Sequence, residues 1–205
     1  MSHYFVTPDG PERRQQIAAR IWGDDYAFTT ANGVFSGSRL DLGTSVLLRS
    51  VAPPPDGPLR LLDLGCGFGP IAVALARECP SAQVDAVDVN DRALELTRVN
   101  AAAAGVRVRV GRPEDFADAV YDQIWSNPPI RVGKEALHEL LLTWLSRLAR
   151  GGLANLVVGR NLGADSLQAW LDGQGWPTMR LASAKGFRVL QVEARGMPDL
   201  PTGAC

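Results

Sequence analysis

The sequence predicts an α/β fold: a seven-stranded, mostly parallel sheet with helices on both faces, preceded by an N-terminal β-hairpin. Two observations carry that expectation. From residue 59 onward, short apolar runs alternate with helical patterns, and early in that series a strand runs through three glycines directly into a helix. The strand patterns cover 59–64, 83–88, 106–110, 120–126 and 153–159. Helical patterns cover 70–79, 90–104, 133–149 and 163–173. Residues 177–182 and 187–194 add two strands separated by Lys185-Gly186. Gly105 and Gly151-Gly152 stand where helix C-caps are expected.

Residues 53–58, Pro-Pro-Pro-Asp-Gly-Pro, mark the clearest break in composition. They divide the chain into an extension of 1–52, a main domain of 53–195 and a tail of 196–205 expected to be disordered. Within the extension, Ala18, Ala19 and the glutamines give 13–22 some helical propensity. Against it, Ile17, Ala19 and Ile21 alternate, Gly23-Asp24-Asp25 reads as a turn, and Tyr26, Phe28 and Thr30 alternate again. Alternation on both sides of a turn is the pattern of a hairpin. Residues 41–51 then read as an amphipathic helix.

Bulk properties narrow the class. At 205 residues, 46% hydrophobic and 21% charged, the chain has globular values. No apolar run reaches a membrane span, and the Met1-Ser2-His3-Tyr4 start lacks the basic and apolar regions of a signal peptide. Three cysteines, Cys66, Cys79 and Cys205, form neither a C-x-x-C pair nor a complete disulfide set, which points to a reducing cytoplasm. His3 and His138 lie far apart, so no metal site is expected. A net charge of −1 excludes a general polyanion binder. The basic residues are nearly all arginine, which permits a local RNA-facing patch without demanding one.

The chemistry gathers in two segments. Leu61-Leu62-Asp63-Leu64-Gly65-Cys66-Gly67-Phe68-Gly69-Pro70 is a buried strand, a glycine turn and a helix start. Its glycines allow positive φ and close approach of a ligand to the backbone. A dinucleotide fingerprint would need glycine at 70, where Pro70 offers no N–H to a pyrophosphate. The loop therefore suits a nucleoside without a diphosphate. Asp88, with Val89 after it, ends the next strand about 20 residues on, where an acid accepts both ribose hydroxyls. Asp88 can alternatively cap the helix at 90. Asp63 can reach a ligand ammonium, brace the loop, or do both.

The second segment is Asn127-Pro128-Pro129-Ile130, directly after the strand at 120–126. The prolines push their preceding residues away from helix, so the chain leaves the strand extended. The Asn127 side-chain oxygen and the Pro128 carbonyl then stand side by side at the strand's end. Two such acceptors suit the two N–H groups of an amine and turn its lone pair outward. The bland alternative is a rigid exit turn.

In this order, the glycine loop, the acid after the second strand and the Asn-Pro-Pro after the fourth resemble class I S-adenosylmethionine (SAM) methyltransferases, which are Rossmann-like. The resemblance covers about 59–194 and makes 53–195 the methyltransferase domain. It implies SAM as cofactor, held by Asp63, Gly65, Cys66, Gly67, Phe68, Gly69, Asp88, Val89 and Asn127, with Asn127, Pro128, Pro129 and Ile130 as the catalytic loop. Asn-Pro-Pro-aromatic loops of this superfamily methylate amino nitrogens on planar groups, and Ile130 departs from the aromatic. A narrower similarity involves Gly33-Val34-Phe35-Ser36, Leu40-Asp41, Gly43, Asn127 through Lys134, and Gly186-Phe187-Arg188-Val189. These look like the small-domain methyltransferases related to bacterial 16S rRNA guanine-N2 enzymes, and most like archaeal-type single-domain members. That similarity implies methylation of guanine N2 in ribosomal RNA or the small subunit. Phe35 either leans over the bound nucleoside on the substrate side or anchors the hairpin against the body, and Arg131 and Lys134 either attract substrate phosphate or start a solvated helix face. The family often has an acid right after the third strand; Gly111-Arg112-Pro113 lacks it, and Glu114 or Asp115 can substitute from slightly further on, Glu114 being the one named for the cofactor. Two-domain relatives carry an N-terminal half not seen here. A small molecule or protein amide as acceptor, and a non-catalytic RNA-binding module, are the alternatives.

Overall fold

A hairpin opens the described part of the chain: β1 (Arg14–Ile21) pairs antiparallel with β2 (Asp24–Ala31). Its alternation is that of the sequence, with Ile17, Ile21, Tyr26 and Phe28 buried. The computed structural model describes residues 13–34, 39–128 and 133–195. The turn sits one residue earlier than expected. It is Trp22-Gly23, both at positive φ, with Asp24 and Asp25 already in β2. Two positive-φ residues match the twist of the flanking strands. Trp22 holds its unusual backbone through an indole N–H donated to the Val51 carbonyl and an edge-on contact with Trp125.

Helix α1 (Leu42–Ser50) follows, then the sheet and its helices: β3 (Arg60–Leu64), α2 (Pro70–Glu78), β4 (Gln83–Val87), α3 (Asp91–Ala103), β5 (Arg109–Gly111), β6 (Tyr121–Ser126), α4 (Lys134–Leu145), β7 (Leu148–Gly159), α5 (Ala164–Gly173), β8 (Thr178–Ala184) and β9 (Phe187–Glu193). The strand order is β5-β4-β3-β6-β7-β9-β8. β3 to β7 run parallel, and β9 and β8 close one side antiparallel. Successive β3 residues divide the core. Leu61 joins the hairpin, α1, α2 and α3 on one face; Leu62 and Leu64 join α4 and α5 on the other.

Two local readings change. β5 pairs only through Arg109–Gly111, because Gly105 and Val106 are used to close the end of α3 through N–H bonds to Ala102 and Ala101 carbonyls. Gly105 thus ends a helix as expected, but Gly151-Gly152 does not. α4 stops at Leu145, and the glycine pair lies inside β7 at a shift in its register with β6. A Cβ on Gly152 would come within 2.9 Å of the Ala149 carbonyl oxygen and 3.1 Å of those of Tyr121 and Asp122. Close backbone approach, not helix termination, requires glycine there.

Candidate active site

The sheet order reverses between β3 and β6, since β4 and β5 lie to one side and β7 to the other. Chains leaving the C-terminal ends of β3 and β6 there open a crevice. The loop from β3 is folded back by its own N–H groups: Gly65 and Cys66 both donate to the Val87 carbonyl, at 2.8 and 3.0 Å. Gly65 and Gly67 have positive φ, and a Cβ added at either would meet nothing within 4 Å. The space over these two residues is open to a ligand. Gly69 is constrained from behind, where a Cβ would come within 2.8 Å of Thr97 Cγ2.

Helix α2 begins at Gly69-Pro70 with no side-chain cap of its own. Asp63 supplies one from the neighbouring strand, its Oδ2 accepting the Ala72 N–H at 2.9 Å. Its Oδ1 is buried and has no hydrogen-bond partner among the described residues. Buried Asp85 makes the contrast, because Arg60, Gln83 and the Tyr121 hydroxyl all donate to it. Burial pushes the Asp63 carboxyl up to about 7, the Ala72 N–H pulls against that, and the Asp88 charge adds to it. An orphaned buried oxygen costs stability unless a donor arrives. Asp88 accepts the Gly67 N–H on Oδ2 and the Asn90 N–H on Oδ1, both at 3.0 Å. Each oxygen keeps a lone pair for a second donor. Burial raises the Asp88 pKa, and the N–H groups of Asn90, Gly67 and Val89 oppose the rise. The helix cap is Asn90, whose Oδ1 accepts the Arg92 N–H, so Asp88 is released from that role.

Asn127 leaves the end of β6 with its amide nitrogen already committed. Nδ2 donates to Asp41 Oδ2 at 2.7 Å and to Thr44 Oγ1 at 3.1 Å. The same Asp41 oxygen caps α1 by accepting the Thr44 N–H at 3.0 Å. A carboxylate only accepts, so the face turned to it must be the NH₂. Asn127 Oδ1 is left with no hydrogen bond among the described residues. Gly43 permits this close approach: a Cβ there would meet Phe187 Cε1 at 2.9 Å, Asp41 Oδ2 at 3.0 Å and Asn127 Nδ2 at 3.3 Å.

The hairpin braces the glycine loop through α3. Asn100, 2% exposed, donates to the Thr29 and Phe68 carbonyls and accepts the Thr29 N–H. Thr97 donates to the Gly67 carbonyl, and Asn90 Nδ2 to that of Gly33. Nothing in the sequence marks Thr44, Thr97 or Asn100 as site residues, and Asp41 stands out only as part of a family motif. A local cue existed for Asp41 alone, an N-cap acid three residues before Thr44.

The other expected site residues fall in place unevenly. Cys66 and Phe68 are buried inside the loop, and burial drives the Cys66 thiol well above its usual pKa, so it is a packing group. Val89, 41% exposed, presents an apolar surface beside Asp88. Glu114 is exposed in the 3-10 turn Pro113–Phe116 after β5, while its neighbour Asp115 braces that turn by accepting the Arg112 N–H. Lys134 is exposed at the start of α4, and Pro128 is buried beside Asn127. Phe35, Pro129, Ile130 and Arg131 lie outside the described residues, as does the tail expected at 196–205. Among the described residues no helix is long and apolar enough to cross a membrane.

The family model described as the methyltransferase small domain matches residues 25–191. Over 197 residues the chain is 32% identical to the uncharacterized protein YbxB of Bacillus subtilis, covering 93% of this chain and 97% of that one. Over 151 residues it is 34% identical to ribosomal RNA small subunit methyltransferase C of Escherichia coli K12, covering 71% of this chain and 42% of that one. A solved structure of the T. thermophilus 16S rRNA N2 methyltransferase RsmC, in complex with AdoMet and guanosine, superposes with a TM-score of 0.79 at 26% identity. That match covers 92% of this chain and 52% of the other. The chain thus spans about half or less of the rRNA methyltransferases named here. A methyltransferase from Pyrococcus furiosus shares the fold, with a TM-score of 0.61 at 19% identity over 74% of this chain and 81% of that one.

Proposed function

This chain belongs to the methyltransferase small domain family, and on that premise we propose that it methylates guanine N2 in small-subunit ribosomal RNA, with SAM as methyl donor. The observation that carries the reading is Asn127, whose amide nitrogen is occupied by Asp41 and Thr44 and whose oxygen is left to accept. The relatives named as a ribosomal RNA small subunit methyltransferase and solved as a 16S rRNA N2 methyltransferase support the choice of acceptor.

The residues present fit SAM. The open backbone at Gly65 and Gly67 leaves room for the nucleoside, with Cys66, Phe68 and Gly69 shaping the loop beneath. Asp88 has lone pairs to spare for the ribose hydroxyls, Val89 offers an apolar surface to the base, and Glu114 is the nearest acid for its amino group. The partnerless Asp63 Oδ1 suits a ligand ammonium. When bound, SAM supplies a methyl group made electrophilic by its cationic sulfur.

The protein's task is then alignment and charge placement. Asn127 Oδ1 and the Pro128 carbonyl accept the two N–H groups of the target amine and aim its lone pair outward. Pro129 and Ile130 belong to the same catalytic loop by the family pattern. As positive charge grows on nitrogen, the two oxygens stabilise it. The alkylated nitrogen is acidic and releases its proton to water. Phe35, Arg131 and Lys134 complete the RNA-facing side, the last two by attracting phosphate.

The test is transfer of labelled methyl to small subunits or their rRNA, with mass mapping of the modified nucleotide. Asn127→Ala is expected to keep SAM binding and lose roughly a hundredfold or more in turnover, the scale of one lost transition-state contact. Near-normal turnover in that variant, or transfer to free small molecules or protein amides instead of rRNA, would overturn the reading.

A further inference from the structure

We propose that Asp41 is a positioning residue for methyl transfer: with Thr44 it locks the Asn127 amide so that only an acceptor faces the target. The inference rests on the role given to Asn127 above and adds what holds that side chain in one orientation.

An asparagine at the end of a strand has two nearly isosteric faces, one donating and one accepting. Turned the wrong way, Asn127 would offer an NH₂ to an amine that also offers N–H, and the pair would repel. Asp41 removes that choice. Its Oδ2 and Thr44 Oγ1 converge on Nδ2 at 2.7 and 3.1 Å; the Thr44 hydroxyl could donate to a flipped amide oxygen, but the carboxylate, which only accepts, excludes it. Asp41 is itself fixed. It caps α1 with the same oxygen, and α1 packs against the sheet face with Leu47 fully buried. Gly43 lets the helix start press against both Asn127 and Phe187. The contact spans 86 residues of sequence, linking the extension before the proline run to the strand end after it. The carboxylate has a second effect. A charged acceptor polarises the amide, and the negative end of that dipole is Oδ1, where positive charge would grow on the acceptor nitrogen.

Separating this role from simple helix capping needs a variant that keeps the cap. Serine is a good N-cap but too short to serve as the second arm to Asn127, so Asp41→Ser should hold the melting temperature and SAM affinity near wild type. Its turnover on rRNA is expected to fall roughly thirtyfold or more at unchanged KM, the mark of a misoriented transition-state contact. Asp41→Asn retains an oxygen at the same place without the charge and should recover to within roughly tenfold of wild type. In an Asn127→Ala background, Asp41→Ser should cost less than about twofold more, because it acts through a side chain already removed. Wild-type turnover in Asp41→Ser, or its full loss repeated in the double variant, would sink the proposal. A readout independent of RNA separates this from failure of the parent reading. The Asn127 side-chain NH₂ resonance, identified by its absence in Asn127→Ala, should exchange slowly with solvent in wild type and quickly in Asp41→Ser. Equal exchange in both overturns the lock even if rRNA proves the wrong substrate.

Discussion

Raising the pH from 4 to 8 should weaken the ligand-free protein through the carboxyl of Asp63, with Asp88 acting in the same direction. Asp63 is 1% exposed, and burial lifts its pKa from an ordinary 3.8 to about 7. Below 3.8 the folded and unfolded chains both hold this proton, and the stability it confers is fully present. Between 3.8 and 7 the folded chain keeps a proton that the unfolded chain has released. Stability is therefore lost as pH rises, completely so above 7. About three pH units at roughly 1.4 kcal/mol each makes the loss about 4 kcal/mol. Asp63→Asn keeps an oxygen for the Ala72 N–H and carries no charge, so it lacks this slope. Denaturant midpoints of the two proteins should nearly coincide at pH 4 and separate by pH 8, with the variant the more stable. A SAM ammonium against Oδ1 would favour the ionised form, so binding near pH 6.5, where the free ligand already carries its ammonium proton, should release a large part of one proton. Calorimetry in buffers of different ionisation enthalpy reads that number directly. Parallel stability profiles combined with no proton release would refute both the burial argument and the ammonium assignment.

Three further outcomes follow from the same geometry. Asn100→Ala orphans the Thr29 N–H and the carbonyls of Thr29 and Phe68, and should cost about 3 kcal/mol, lowering Tm by roughly 6–12 °C in a thermal melt. Gly43→Ala drives a methyl into Phe187, Asp41 and Asn127, so turnover should drop roughly tenfold or more while calorimetric SAM affinity holds; equal losses in both would mean that the helix start serves the cofactor side. Asp88→Asn has one acceptor where two N–H groups and a ribose need several, and should weaken SAM binding about a hundredfold, with a smaller change in Tm.

Features that depend on neighbours in sequence were readable beforehand. Period-two alternation at Ile17, Ala19 and Ile21 marked a hairpin despite helical propensity, and Lys185-Gly186 marked the turn between β8 and β9. The glycine loop, Asp88 and Asn127 were visible as residue types at fixed spacing after strands. What stayed hidden depends on contacts across the fold. Nothing around Asn100 announces that Thr29, 71 residues away, needs its amide. Asp41 shows itself as a helix cap, while its second partner lies 86 residues on. Gly151-Gly152 misled for the same reason, since a glycine pair after a helical run looks like a stop signal until the β6 carbonyls it must pass are seen.

The proline run at 53–58 interrupts composition without interrupting cooperation. What precedes it reaches across to both sides of the crevice, the hairpin steadying the bend after β3 through Asn100 and the start of α1 steadying the end of β6 through Asp41. A protein trimmed at that run would keep the glycine loop, Asp88 and Asn127, yet Asn100 would lose Thr29, which helps fix its hold on Phe68, and Asn127 would lose Asp41 and Thr44. Swapping whole leading segments between relatives should accordingly alter catalysis more than swapping surface loops of equal length, because the segment behaves as a frame for the reacting groups.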